Sequence, residues 1–338
     1  MILRPKPSPF LHAQPLASQL LAPVGPVPAW LRRAIPDAQS LAAKGFEDIA
    51  IVAGAAIGAL DALARREERW AGAWRQRLAL GAAAATARQA GRTEDEAALR
   101  DAVLLTRPGD NAGPAGRMFL AWRSLAARPA EGLLTKASIA RVLEDLGHAR
   151  DDEAASDLAD DLRPLAAGEG PVGMLTGAFA LAERRGLARG VGFWLADALL
   201  AQRLGWHHAV PLLGGEAALG TSARPRRSAA SSVATSIETD PERAKGLLAA
   251  QARAALRAID LFTELERRAE KLLAVAPKLR AKAADAVVNK LLSDDAIVAS
   301  EKIAGMSDRG LRRLFDRLVE LGAVRELSGR TTFRIYGL

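Results

Sequence analysis

Three arginines at the start of one amphipathic segment, Arg309, Arg312 and Arg313, are the residues whose type and spacing point most directly to a ligand class. Leu311, Leu314, Phe315, Leu318 and Leu321 recur every three or four positions, so a helix over 308–321 turns them toward a core. Arg309, Arg312, Arg313, Asp316 and Glu320 then share the outer face, with Arg317 at its edge. A guanidinium donates two parallel N–H groups, which suits both phosphate oxygens and the guanine edge of duplex DNA. Arg330 falls at the tip of a hairpin and is placed like a wing residue reaching toward a minor groove or the sugar–phosphate backbone. Arg309, Arg312, Arg313, Arg317 and Arg330 are therefore the candidate DNA contacts. Asp316 and Glu320 on the same face weigh against phosphate, and the same scaffold can serve protein contact with its arginines merely solvated.

The remaining motifs carry less chemistry. Residues 168–173 match the bare dinucleotide-binding glycine spacing, but the preceding Asp160-Asp161-Leu-Arg-Pro164 is a poor strand and Pro171 sits inside the turn. A loop between helices is the better reading. His207 and His208 are adjacent and no third ligand stands near them, so no metal site is expected. Asp151, Asp152, Glu153, Asp157, Asp160 and Asp161 read as helix starts and a solvated face. Glu96, Arg100, Asp101 and Arg107 are expected to form a buried ion-pair network with Arg75 and Arg77. An enzyme would need polar groups converging around Arg75, Glu96, Arg100 or Asp197. The chain has no nucleophile elbow, Walker loop or cysteine, and no cofactor is implied.

Composition says which elements must hold these residues. The 338 residues are 49% hydrophobic but only 4% aromatic, and alanine and leucine, the best apolar helix formers, predominate. This predicts an all-α chain with a multi-helix body. The net charge of +8 is uneven. Residues 1–36 carry Arg4, Lys6, Arg32 and Arg33 and no acids, while 278–338 carry twelve basic and eight acidic residues. The middle is neutral, which is the asymmetry of a nucleic-acid-binding appendage. The longest apolar stretch, 49–60, is short of the roughly 20 residues a bilayer requires. No membrane span or signal peptide is expected, and a cytoplasmic setting fits the lack of cysteine.

Residues 1–36 contain eight prolines and predict an extended or disordered arm, with Trp30 and Leu31 as its attachment to the body. The body, 37–213, is a succession of helices over 38–66, 70–90, 93–105, 118–127, 136–147, 151–162, 175–185 and 191–204. Ala50, Gly54 and Gly58, stacked at spacing four, predict close approach of another helix. Thr93 with Glu96 has the form of a capping box, and 106–116 is a loop by composition. Residues 214–238 are a linker or long loop, after which a second capping box at 239–242 opens a long connecting helix to 277. Its stripe of Leu248, Ala252, Leu256, Ile259 and Phe262 docks on the body or on a second copy, as in a homodimer. Residues 278–338 read as a winged helix-turn-helix: a polar helix over 278–292, a short helix over 300–304, a turn at Gly305-Met306, a helix capped by Ser307, and a hairpin around Ser328-Gly329-Arg330.

Five segments also carry a resemblance: 70–80, 91–101, 193–203, 271–282 and 314–330. Their sequences include Trp70-Ala-Gly-Ala-Trp74, Phe193-Trp-Leu-Ala-Asp197 and Leu314-Phe-Asp-Arg-Leu318. Together they resemble the domain-of-unknown-function family numbered fourteen-oh-three, found in rhizobia and their relatives and often plasmid-borne. The likeness runs from about Trp30 to Leu338, with 220–237 atypical. It implies a bacterial, cytoplasmic setting and brings no activity, substrate or catalytic residue. The expectation is a DNA-binding accessory or regulatory protein of a mobile replicon. A non-enzymatic protein-interaction scaffold is the alternative, and an enzyme with a pocket in the helical body is the third.

Overall fold

Alanine-rich helices pack closely because a methyl group keeps neighbouring backbones near one another, and the central helix of this protein shows the effect. In the computed structural model, which describes residues 27–37, 40–107, 109–168, 170–216 and 241–338, helix α3 (Ala71–Gln89) is buried along most of its length. Around it stand α1 (Ala29–Ala34), α2 (Phe46–Ala64), α4 (Glu96–Leu104), α5 (Gly113–Ala127), α6 (Lys136–Asp145), α7 (Asp152–Gly168), α8 (Pro171–Arg184) and α9 (Arg189–Leu204). The 35-residue α10 (Pro241–Val275) runs across this body and ends beside α11 (Ala284–Ser293), β1 (Ile297–Val298), α12 (Asp308–Glu320), β2 (Arg325–Glu326) and β3 (Ile335–Gly337). The all-α character expected from composition is what is found, with one small C-terminal sheet.

The core is built from few, large aromatic groups. Trp74, Trp122, Trp194, Phe119, Phe193, Phe262 and Phe315 are all fully buried. The indole N–H of each of these three tryptophans finds an acceptor, as low-dielectric burial demands. Trp74 donates to the Ala258 carbonyl at 2.9 Å, Trp122 to Thr86 Oγ1 at 3.0 Å and Trp194 to the Ala121 carbonyl at 3.1 Å. Phe262 of α10 lies 4.2 Å from the Trp70 ring and edge-on to Trp74, so the long helix is keyed into α3. The stripe Leu248, Ala252, Leu256, Ile259 and Phe262 is buried within the chain, which decides between the two dockings expected for it.

Several local expectations are corrected. The Pro-rich arm is expected over 1–36, but 29–34 form α1, in which Leu31 is buried and Trp30 stays half exposed; residues 1–26 lie outside the described residues. Gly54 and Gly58 face open space, because α2 packs through Ile49, Val52, Ala53, Ala56 and Leu60 on its other side. Helix α4 starts at Glu96, not Thr93, because the shorter carboxylate of Asp95 accepts from the Ala98 amide at 2.8 Å and caps it. Helix α5 takes in Gly113–Gly116, part of the expected loop, with Pro114 tolerated in its first turn. The linker over 214–238 and the capping box at 239–242 fall largely outside the described residues, and α10 begins at Pro241.

Two further local expectations hold. The glycine segment 168–173 is the junction where α7 ends and α8 begins. Asp151 Oδ1 accepts from the amides of Glu153 and Ala154 at the start of α7, while Asp160 and Asp161 pair with Arg163 and Arg185 on its surface. No helix among the described residues is long and apolar enough to cross a membrane.

Candidate nucleic-acid interface

The segment after α10 is organised around Phe315. Its ring stacks on Tyr336 of β3 at 4.2 Å with the planes 7° apart. Leu311, Leu314 and Leu318 bury the rest of the same α12 face. Ser307 caps the helix as expected, its hydroxyl accepting from the Gly310 amide at 3.1 Å. Behind α12 the three strands order as β1-β3-β2, all antiparallel, with Ile297 opposite Tyr336 and Glu326 opposite Tyr336 on the other side. The expected hairpin is thus present, its strands β2 and β3 joined by residues 327–334.

Two helical expectations in this segment are overturned. The polar helix starts at Ala284, not 278, because Pro277 lies in a 3-10 turn and Ala283 takes a left-handed φ of 62°. Residues 300–304 are not helical. The chain entering them is claimed by the sheet, since the Ala299 amide donates to the Arg334 carbonyl at 2.8 Å, and a single turn follows in which the Glu301 amide donates to the Val298 carbonyl at 3.1 Å. The Glu301 carboxylate also pairs with Lys290 of α11.

The five candidate arginines separate into two sets. Arg309, Arg312, Arg313 and Arg317 share the exposed face of α12. The first three have no ion-pair partner among the described residues, whereas Arg317 is held by Glu320 at 2.7 Å. Arg330 is not with them in its contacts: it reaches the body and pairs with Asp101 of α4. Arg334, which the sequence did not single out, lies instead near α12, 3.9 Å from Asp316. Two apolar side chains stand among these charges, Phe333 at 69% exposure and Val319 at 39%.

A buried carboxylate ties this segment to the body. Asp295, just before β1, is 1% exposed and receives Arg77 of α3 and Arg100 of α4, the latter at 2.6 Å. Burial works against its charge, yet the two guanidiniums hold it below the usual carboxylate value. Arg123 of α5 pairs with the adjacent Asp294 at 2.8 Å. The expected network of Glu96, Arg100, Asp101 and Arg107 with Arg75 and Arg77 is therefore corrected. Arg77 and Arg100 do meet, but on Asp295; Asp101 turns to Arg330, Arg75 donates to the Ala126 carbonyl, and Arg107 is exposed. A sequence signal existed in two adjacent acids abutting the apolar Ala-Ile-Val strand.

The four groups that an enzymatic pocket would need do not converge. Asp197 is fully buried against the amides of Leu212 and Leu213, Glu96 is exposed at the start of α4, and Arg75 and Arg100 are engaged at the separate places just described. His207 and His208 stack edge to face at 4.4 Å, and no group of three His, Cys, Asp or Glu side chains that could hold a metal forms among the described residues.

Residues 17–338 match the family described as "Protein of unknown function (DUF1403)", and the chain belongs to that family. No curated protein matches it.

Proposed function

We propose that this member of the family is a duplex-DNA-binding accessory or regulatory protein of a bacterial replicon, acting in the cytoplasm through a C-terminal winged helix. In this reading α12 is the recognition helix and the β2–β3 hairpin is the wing. The observation that carries it is the trio Arg309, Arg312 and Arg313, exposed on one helical face with no acidic partner among the described residues. Unneutralised arginines on a rigid amphipathic helix are what phosphate and guanine recognition requires. The helix–strand–helix–hairpin succession and the β1-β3-β2 order support the same reading, although turns and irregular chain stand in place of the short middle helix.

The test is a fluorescence-anisotropy titration of the whole protein with random duplex DNA at two salt concentrations. Arg312→Ala with Arg313→Ala is expected to weaken binding and to lower the salt slope by about 2, roughly one per lost phosphate contact. An unchanged slope removes these arginines from the interface. No binding at low salt sinks the DNA reading for the isolated protein.

A second reading, a docking surface for a partner protein or a second copy, is favoured by Phe333 and Val319. Two exposed apolar groups amid mixed charges, with Asp316 and Glu320 beside them, suit a protein rim better than a phosphate track.

A further inference from the structure

A cleft of about 440 Å³ separates α10 from the end of the C-terminal sheet. Asp260, Glu264, Arg267, Arg268 and Lys271, one stripe of α10, form one wall, and Gly322 to Arg325 with Leu338 form the other. Four cationic side chains thus line it against two acidic ones, and both acidic side chains are already engaged. Arg32 grips Asp260 through two hydrogen bonds of 3.0 and 2.6 Å, and Arg268 holds Glu264. Arg268 also donates to the Leu338 carbonyl at 2.9 Å, so its guanidinium is fixed.

Arg267, Lys271 and Arg325 are exposed and have no ion-pair partner among the described residues. Lys271 lies against Gly322 just past the C-terminus of α12, where a Cβ would sit 2.9 Å from Nζ, and the negative end of that helix accounts for its place. Arg267 and Arg325, on opposite walls, have no such compensation. The crowding is felt by their neighbour: burial, Arg325, Arg77 and Arg267 hold Arg268 below the usual guanidinium value against the opposing pull of Glu264. Like charges brought together across an open cleft cost free energy that a bound anion recovers.

We infer that this cleft is a binding site for a small phosphate-bearing molecule, gripped by Arg267 from α10 and Arg325 from β2, with Lys271 at its edge. Two forked guanidiniums from facing walls suit the several oxygens of a phosphate or pyrophosphate group, and the cleft is in the size range of small-molecule sites. An occupant touches both walls, so it ties the C-terminal elements to the long helix and stabilises their docked position. This inference is independent of the DNA reading, because none of its residues is among the α12 arginines.

The probe is sodium pyrophosphate, titrated calorimetrically into the whole protein at constant ionic strength, with thermal unfolding followed in parallel. Saturable one-site binding and a raised Tm are expected. Arg267→Ala with Arg325→Ala should weaken that binding at least tenfold while the unliganded far-UV spectrum and Tm stay close to those of the parent. Lys271→Gln, a milder change, should weaken it less. Absence of saturable heat, or equal binding by the double variant, overturns the assignment. If duplex DNA binds through these three cations and pyrophosphate does not, the cleft is part of a nucleic-acid track and the small-ligand site is wrong.

Discussion

Arg330, at the tip of the C-terminal hairpin, is paired with Asp101 of α4, 229 positions earlier in the chain. The side chain best placed to act as a wing contact is thus engaged by the body. Half exposure of the arginine keeps the pair's own contribution to stability to about 1 kcal/mol or less. Asp101→Asn should therefore leave stability nearly unchanged yet raise duplex affinity by about two- to fivefold at low salt, since one more cation becomes available to phosphate. Paired anisotropy and urea-denaturation measurements check this. Equal or lower affinity in the variant detaches Arg330 from DNA binding.

Asp295 sets a larger stake. Removing a buried carboxylate leaves the buried Arg100 and the partly buried Arg77 without a counter-charge, so Asp295→Ala is expected to cost about 3–5 kcal/mol in chemical denaturation. Replacing all three groups together, Asp295→Leu with Arg77→Met and Arg100→Met, should restore much of that loss, because no charge is left to desolvate. A triple variant as unstable as the single one would show that the ion triad does more than satisfy itself.

At Gly72 the backbone of α3 lies close against the C-terminal segment. A Cβ built on it would lie 2.7 Å from the Ser293 carbonyl oxygen and 2.8 Å from Ser293 Cα, both backbone atoms that cannot swing aside. Gly72→Ala should destabilise by about 1–3 kcal/mol through displacement of α11. Increased hydrogen exchange confined to 284–298 would locate the effect; unaltered exchange there would count against it.

Two groups give opposite pH dependences. Burial, then Arg75 and His207, push His208 from 6.5 down to about 4 against Glu67, so the unfolded chain takes up a proton that the folded one refuses, and stability is lost as pH falls from about 6.5 toward 4. Burial raises Asp197 from 3.8 to about 8 in spite of the amides of Leu212, Leu213 and Gly214. The folded chain then keeps a proton that the unfolded one has released, and stability is lost as pH rises from 3.8 through about 8. Between about 4 and 6.5 the two effects oppose each other. Denaturation midpoints across pH should show that His208→Gln unmasks a decline with rising pH in that window. Asp197→Asn should leave a rise with pH there and flatten the decline above 6.5.

What the sequence made legible is local. Periodicity found the helices, the buried stripe of α10, the Ser307 cap and the outward set of Arg309, Arg312 and Arg313. The failures are where partners come from far along the chain. The sequence offers Arg77 and Arg100 acids close by, while their partner, Asp295, comes from beyond position 290. Residues 300–304 have helical composition, but a sheet hydrogen bond from Ala299 to Arg334 takes the backbone another way. Gly54 and Gly58 carry a close-packing signature, and nothing in a single helix says which of its sides a neighbour will choose.

Helix α10 has a mechanical consequence. Its 35 residues form a rod of about 50 Å, with its middle wedged between Trp70 and Trp74 through Phe262 and its far end bearing the cations that face Gly322. Buried residues follow one another along it from Ala244 to Leu272, so the body holds it along its length rather than at one pivot. A displacement of its first turns is therefore passed along the axis to the Arg267–Arg325 cleft, with no intervening joint to absorb it.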